Sequence, residues 1–244
     1  MIFAAGLGTR LKPITDTMPK ALVPVSGKPL LWHVVMKLKQ EGFERIIVNV
    51  HHFAQQIIDY LQANDNFGLD IRISDESGKL LETGGGIRKA LPLFERDQPI
   101  LIHNVDILSN ARLRELYDGA VSSKHDALLL VNERKTSRYL IFNEGNILKG
   151  WTNITTGEVR SPLHTPLDLE RSALRAFSGI HVLKPTTYPL LKQMPERFPI
   201  IDFYLDHCLQ MDIYGQTQSG LKLLDIGKIN TIDLADSFLA QLSQ

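Results

Sequence analysis

The sequence predicts an α/β fold: a Rossmann-like, mostly parallel mixed sheet flanked by helices. Three observations carry that expectation. Strand-like and helix-like segments alternate through the first two-thirds of the 244 residues, the pattern that builds parallel sheets with crossover helices. Several strand candidates are continuous apolar runs, as strands buried on both faces are. Polar and glycine-rich segments fall directly after strands, where ligands of open α/β sheets bind.

In chain order, strands are expected at residues 1–4, 45–50, 69–74, 99–106 and 126–131. The helix expected at 29–41 opens on Pro29 and stops before Gly42, the usual start-proline, stop-glycine asymmetry. Its Leu30, Leu31, Val34, Val35 and Leu38 fall on one face. Helices at 54–63, 86–94 and 111–121 follow the same pattern. Beyond Asn132 the rhythm changes. Residues 139–142 and 147–151 flank Asn143-Glu144-Gly145-Asn146, which reads as a hairpin turn. Residues 153–172 are polar, hold two prolines and show no period, so a long loop is expected. A strand at 176–183, a helix at 200–211, a strand at 221–226 and one closing helix at 231–242 complete the chain. No repeat or low-complexity linker interrupts it. The organisation read from this is a single domain, 1–244, with a small β-rich, substrate-facing insertion at 139–172.

Composition narrows the function classes. An apolar fraction of 43% with 22% charged residues is that of a globular protein. Lys plus Arg and Asp plus Glu both number 27, which argues against a nonspecific nucleic-acid binder. The single cysteine, Cys208, excludes an intramolecular disulfide and a cysteine-built zinc site, and its apolar setting reads as a buried small hydrophobe. No apolar run approaches the ~18 residues of a membrane span, and the apolar N-terminal run is too short for a signal peptide. A cytoplasmic protein without membrane or nucleic-acid partners is the expectation; a homo-oligomer is compatible with it.

After the first strand stands Ala4-Ala5-Gly6-Leu7-Gly8-Thr9-Arg10. Glycines let backbone amides close on an anion. Leu11 occupies the third glycine position of the dinucleotide fingerprint, and no P-loop motif occurs. Alone, the loop reads equally well as a plain turn. Arg10, Lys12 and Lys20, the last set between Pro19 and Pro24, fit a polyphosphate cradle; a solvated lysine is the plain reading of any one of them. Asp106 and Asp225 each end an apolar strand. Each taken by itself reads as a cap or turn residue. His51 and His52 lack the further ligands that zinc needs.

The run Phe3-Ala4-Ala5-Gly6-Leu7-Gly8-Thr9-Arg10-Leu11-Lys12-Pro13, followed by Pro19-Lys20-Ala21-Leu22-Val23-Pro24-Val25 and Lys28-Pro29, resembles the signature of the sugar-phosphate nucleotidyltransferases, the NDP-sugar pyrophosphorylases. A weaker likeness runs over nearly the whole chain. The resemblance implies the nucleotide-diphospho-sugar transferase fold and transfer of a nucleoside monophosphate from an NTP, UTP or GTP, to a sugar 1-phosphate. It implies Arg10 and Lys20 as the phosphate-stabilising catalytic pair, and Asp106 and Asp225 as holders of Mg²⁺. Nucleotide contacts are implied for Ala4, Ala5, Gly6, Gly8, Thr9, His51, Glu82, Thr83, Gly84, Gly85 and Asn104, with residues 84–86 as a turn reading the base. Glu82-Thr83-Gly84-Gly85-Gly86 is most similar to N-acetylmuramate-1-phosphate uridylyltransferases and some mannose- or heptose-1-phosphate guanylyltransferases. Glu82 or Thr83 as a helix cap is compatible with that role. Gly179, in Phe177-Ser178-Gly179-Ile180, and Asp202, which also suits an N-cap, are implied sugar contacts.

The chain departs from the family at several points, among them Lys228, where threonine often follows the glycine of the motif holding Asp225. The first strand starts at Met1, as a truncated or misassigned start would leave it. Val105 stands where a small residue is usual. The E-K-P motif, whose lysine holds the sugar phosphate, is replaced by Lys149-Gly150-Trp151, with Lys149 as the substitute at hand. The C-terminal β-helix that many relatives add is not expected here. The rival class is a catalytically silent nucleotide-sugar-binding regulatory subunit. A dinucleotide oxidoreductase is disfavoured by the missing third glycine and by histidines where an acidic residue belongs.

Overall fold

A computed structural model describes residues 1–163, 167–169 and 171–242. Contacts divide the chain into two compact units that alternate along the sequence. Unit 1 comprises Met1–Leu81, Ile102–Arg114 and Leu221–Gln244; unit 2 comprises Glu82–Leu101 and Glu115–Gly220. Parallel and antiparallel strand pairs occur with helices between them, the α/β class that the alternation predicts.

Unit 1 is built on parallel strands. Ile2–Phe3 lies between Arg45–Val50 and the end of Ile100–Asn104, with Phe3 opposite both Asn49 and Asn104. Asp70–Asp75 extends the sheet beside Arg45–Val50. The four strands point the same way, so Ala4, His51, Glu76 and Val105 all follow strands at one edge. The helix Leu30–Gln40 buries the five apolar residues that the period predicts, each contributing about 1.5–3 kcal/mol as an upper estimate. Its end is set by Gly42, whose φ of +80° allows Phe43 N–H to reach back to Leu38 O at 3.0 Å. A separate two-stranded ladder pairs Ile107–Ser109 with Leu223–Asp225, antiparallel. The expected closing helix is two helices, Ile229–Ile232 and Ala235–Leu242.

Unit 2 is a mixed sheet. Ala127–Asn132 pairs antiparallel with Ala173–Leu183 and parallel with Ile213–Gln216. Ala173–Leu183 then pairs with Arg138–Phe142, and that strand with Leu148–Asn153, which is the expected hairpin. Two expectations are corrected here. The loop expected at 153–172 contains a strand, Glu158–Arg160, paired with Leu148–Asn153. All three of its residues are exposed, so it carries no apolar alternation to be read. The helix expected from residue 86 begins at Glu82 and runs to Ala90. The strand Ile213–Gln216 and the short helix Tyr188–Gln193 were not anticipated. Among the described residues, no helix is long and apolar enough to cross a membrane.

Candidate active site

In unit 1 the parallel strands deliver the loop of residues 4–10 to the carboxyl edge of the sheet. Ala4 N–H donates to Asn49 Oδ1 at 2.7 Å, and Asn49 Nδ2 donates to Glu76 Oε1 at 2.7 Å. The second carboxylate oxygen of Glu76 accepts from Leu81 N–H at 3.2 Å. Asn49 and Glu76 are both buried, so these bonds fix where the loop starts. Gly6 is exposed and has nothing within 4 Å of its absent Cβ; the amides of Gly6 and Leu7 have no protein partner among the described residues. Gly8 holds a left-handed φ of +64°, and Thr15 Oγ donates to its carbonyl at 2.9 Å. A Cβ at Gly8 would lie 2.8 Å from Thr15 Cγ2 and 3.1 Å from Lys20 Cβ. Glycine is thus required there twice, by backbone and by neighbours. Thr9 and Arg10 open a 3₁₀ turn, with Leu11 N–H on Gly8 O at 2.8 Å.

The two aspartates are brought to one place by strand register. Asp225 faces Ile107, the residue after Asp106, at the end of the two-stranded ladder. Ile226 N–H donates to Asp106 O at 2.8 Å and ties the two turns together. Lys20, 9% exposed, forms an ion pair with Asp106 Oδ2. Arg10 stands at Asp225: a Cβ on Gly227 would lie 2.7 Å from Asp225 Oδ1 and 2.8 Å from Arg10 Nη2. Arg10, Lys20, Asp106 and Asp225 therefore form one cluster of alternating charge. His51 and Asn104 follow or end the strands on either side of the loop. No group of three or more His, Cys, Asp or Glu side chains suited to a metal occurs among the described residues. Burial pushes the His103 imidazole, beside Asn104, down from 6.5 to about 4.

In unit 2 the segment expected to read the base is corrected. Residues 84–86 are not a turn: they are buried in the first turns of Glu82–Ala90. The amides of Gly84 and Gly85 donate to Phe198 O at 2.9 and 3.1 Å, so neither N–H points to a ligand. Thr83 Oγ1 accepts from Ile200 N–H at 2.8 Å, the first residue of the helix Ile200–His207. Each helix start thus satisfies the other's orphan donors, and Thr83 caps a helix other than its own. Glu82 is held in a left-handed φ of +62° and pairs with Arg197 at 2.8 Å.

The expected sugar contacts also fall in unit 2. Gly179 has a φ of +77° at the bulge between Phe177 and His181, a conformation that suits glycine. Asp202 is not an N-cap residue; it lies inside the first turn of Ile200–His207 and pairs with Arg160 at 2.7 Å. Asp202 and Arg160 line a hollow with Arg134, Arg138, Tyr139, Trp151 and Phe177; Lys149 is not among its lining residues.

Of these residues, the sequence reasoning missed Thr15, Glu76, Phe198 and Arg160. Asn49 did carry a signal, as a polar residue inside the apolar run 46–50.

A family model described as nucleotidyl transferase matches residues 1–142. The chain belongs to the nucleotidyl transferase family. The matched stretch holds the glycine loop, Lys20 and Asp106. Among curated relatives, the chain is 44% identical over 123 residues to N-acetylmuramate alpha-1-phosphate uridylyltransferase of Neisseria meningitidis, covering 50% of this chain and 52% of the relative. To mannose-1-phosphate guanyltransferase of Pichia angusta it is 27% identical over 210 residues, 82% of this chain and 55% of the relative. The chain spans about half the length of these curated relatives. The crystal structure of HddC from Yersinia pseudotuberculosis shares the fold, with a TM-score of 0.76 at 22% identity over 98% of this chain and 97% of that one.

Proposed function

We propose that the protein transfers a nucleoside monophosphate from an NTP to a sugar 1-phosphate and releases pyrophosphate. One observation carries the reading: Lys20 sits on Asp106, Arg10 beside Asp225, and a main-chain bond joins the two aspartate turns. In the reaction, an oxygen of the sugar phosphate attacks the α-phosphorus in line. The bond from that phosphorus to the α,β-bridging oxygen breaks, and pyrophosphate carries away the electron pair. No enzyme nucleophile is needed; the protein positions two anions and neutralises their repulsion.

Free amides at Gly6 and Leu7, with Arg10, suit the triphosphate. Lys20, fixed by burial and by Asp106, suits phosphate charge at the reacting centre. Asp106 and Asp225 are hard oxygen donors of the number that Mg²⁺ takes alongside phosphate oxygens, and they would hold it. When bound, Mg²⁺ would act as a Lewis acid that neutralises developing charge. Uridine is the proposed base, because identity to the uridylyltransferase exceeds that to the guanyltransferase, 44% against 27%. A cytoplasmic site of action follows from the need for NTP.

A pyrophosphate-release panel tests this: four NTPs against several sugar 1-phosphates, with and without Mg²⁺. Turnover is expected with UTP first, GTP next, and only with the metal. Saturable nucleotide-sugar binding without turnover of any pair would replace this reading with that of a silent regulatory subunit.

A further inference from the structure

Resting on that reading, we propose that Asn49 and Glu76 are positioning residues for the triphosphate. Glu76 sets which way the Asn49 amide faces, and Asn49 in turn holds the glycine loop in the shape that presents its free amides to phosphate.

The loop is anchored by side chains at both ends. Upstream, Ala4 N–H donates to Asn49 Oδ1 at 2.7 Å; downstream, Thr15 Oγ donates to Gly8 O at 2.9 Å. Between the anchors stand Ala5, Gly6 and Leu7, and the amides of Gly6 and Leu7 have no protein partner among the described residues. So short a segment, held at both ends, has few conformations left to it. Its amides are therefore arranged before an anion arrives, which lowers the ordering cost of binding.

The upstream anchor depends on an orientation that Asn49 does not choose alone. An asparagine side chain has an acceptor at one end and donors at the other, and reversal would turn its NH₂ on Ala4 N–H, donor against donor. The Glu76 carboxylate accepts from Asn49 Nδ2 at 2.7 Å and from Leu81 N–H at 3.2 Å. An ionised carboxylate has no donor to offer, so only the orientation with Oδ1 towards Ala4 makes every bond. Asn49 is 2% exposed and Glu76 is fully buried, so water is not at hand to replace a lost partner. Burying a carboxylate is unfavourable, and neither of these two bonds requires a charge. What the carboxylate adds is the absence of a donor, and hence one orientation for Asn49. Strand register brings the three groups together: Phe3 lies opposite Asn49, and Asn49 opposite Ser74, which sets Ala4, Asn49 and Glu76 side by side at the carboxyl edge.

The test uses the full chain, UTP, Mg²⁺ and the sugar 1-phosphate that turns over fastest. Calorimetry with inorganic tripolyphosphate adds a probe that carries neither base nor sugar. Glu76→Gln sets a donor against Asn49 Nδ2 or Leu81 N–H, and Asn49→Asp sets two carboxylates together. Each should raise the KM for UTP and weaken tripolyphosphate binding by about tenfold, while the KM for the sugar 1-phosphate stays within about threefold. Combining Asn49→Asp with Glu76→Gln reverses the pair at unchanged net charge. The carboxylate at position 49 then accepts from Ala4 N–H and from the side-chain NH₂ at position 76, whose oxygen accepts from Leu81 N–H. The double variant should return both constants to within about threefold of the native chain. Val48→Ala opens a cavity in the same buried strand and should lower Tm without moving either constant. Native constants in both single variants, or a KM that rises equally for UTP and sugar phosphate, overturns the proposal while nucleotidyl transfer stands. Where a single variant does not fold, the double variant decides: near-native constants uphold the proposal, and a double variant that is unfolded, or folded with the KM for UTP still raised, overturns it. If no sugar phosphate turns over in the native chain, the transfer reading fails and tripolyphosphate affinity alone decides. Loss in the single variants with recovery in the double then upholds the positioning role; no binding, or unchanged affinities, overturns it.

Discussion

Replacing Gly84 with alanine sets two opposed effects against each other, and the structure decides which wins. Gly84 lies inside the helix Glu82–Ala90, where alanine is intrinsically better by about 1 kcal/mol. The new Cβ, however, would stand 2.1 Å from Phe198 Cε2 and 2.4 Å from Cδ2, where ordinary contact begins at 3.4 Å. The ring must retreat by more than an ångström, and it is buried. Nor can the residue simply slide away, because its carbonyl accepts from Gly84 and Gly85 at 2.9 and 3.1 Å. Overpacking of this kind costs about 1–3 kcal/mol, and weakening two buried hydrogen bonds adds about 1 kcal/mol each. Net of the propensity gain, Gly84→Ala should destabilise by about 3 kcal/mol, lowering Tm by roughly 6–12 °C for a chain of this size. Thermal unfolding followed by circular dichroism measures it. In a Phe198→Ala background the clash is gone, and Gly84→Ala should be neutral or stabilising. An unchanged or raised Tm in the otherwise native chain would refute the reasoning.

Asp225→Asn should lower kcat/KM by at least about tenfold and raise the Mg²⁺ concentration needed for half-maximal rate, read from a metal titration of pyrophosphate release. Gly8→Ala meets both a left-handed backbone and Thr15 Cγ2 at 2.8 Å; it should raise the KM for NTP more than it changes the KM for sugar phosphate. Asn49→Ala leaves Ala4 N–H and buried Glu76 each short of a partner, which should cost about 1–3 kcal/mol in a urea melt. His103 has a folded pKa depressed to about 4 from 6.5, because burial disfavours its charged form. The unfolded chain therefore binds the extra proton first, so stability should be fully present above about pH 6.5 and fall as pH drops towards 4, by roughly 3 kcal/mol from this group. His103→Gln should flatten that part of the profile.

What could be read in the sequence was whatever repeats at short range. The helix Leu30–Gln40, the strand Arg45–Val50 and the hairpin around residues 143–146 announce themselves through period, proline and glycine. Asp106 and Asp225 were legible as strand-end carboxylates, yet their meeting depends on a register between segments more than a hundred residues apart. Glu158–Arg160 escaped because an edge strand with no buried residue leaves no pattern. Residues 84–86 misled for a physical reason: three glycines disfavour a helix, and only the Phe198 ring, distant in sequence, makes the first of them necessary. The arginines of the hollow were individually unremarkable surface charges until the strands of unit 2 set them around common aromatic residues.

The division of the chain has a consequence for the order in which the molecule can be made. Unit 1 is contributed by three separate stretches, and the last starts at Leu221. A ribosome working from the N-terminus releases the glycine loop, Lys20 and Asp106 early, and all of unit 2 before Asp225 emerges. Until then Asp106 has Lys20 as its counter-charge but lacks the ladder strand Leu223–Asp225 that aligns its partner. The proposed site is therefore incomplete until the third stretch of unit 1 arrives, and Asp106 and Asp225 become neighbours only once the strand Leu223–Asp225 has emerged. Contacts of such long sequence separation also form slowly, so competence should lag behind collapse during refolding.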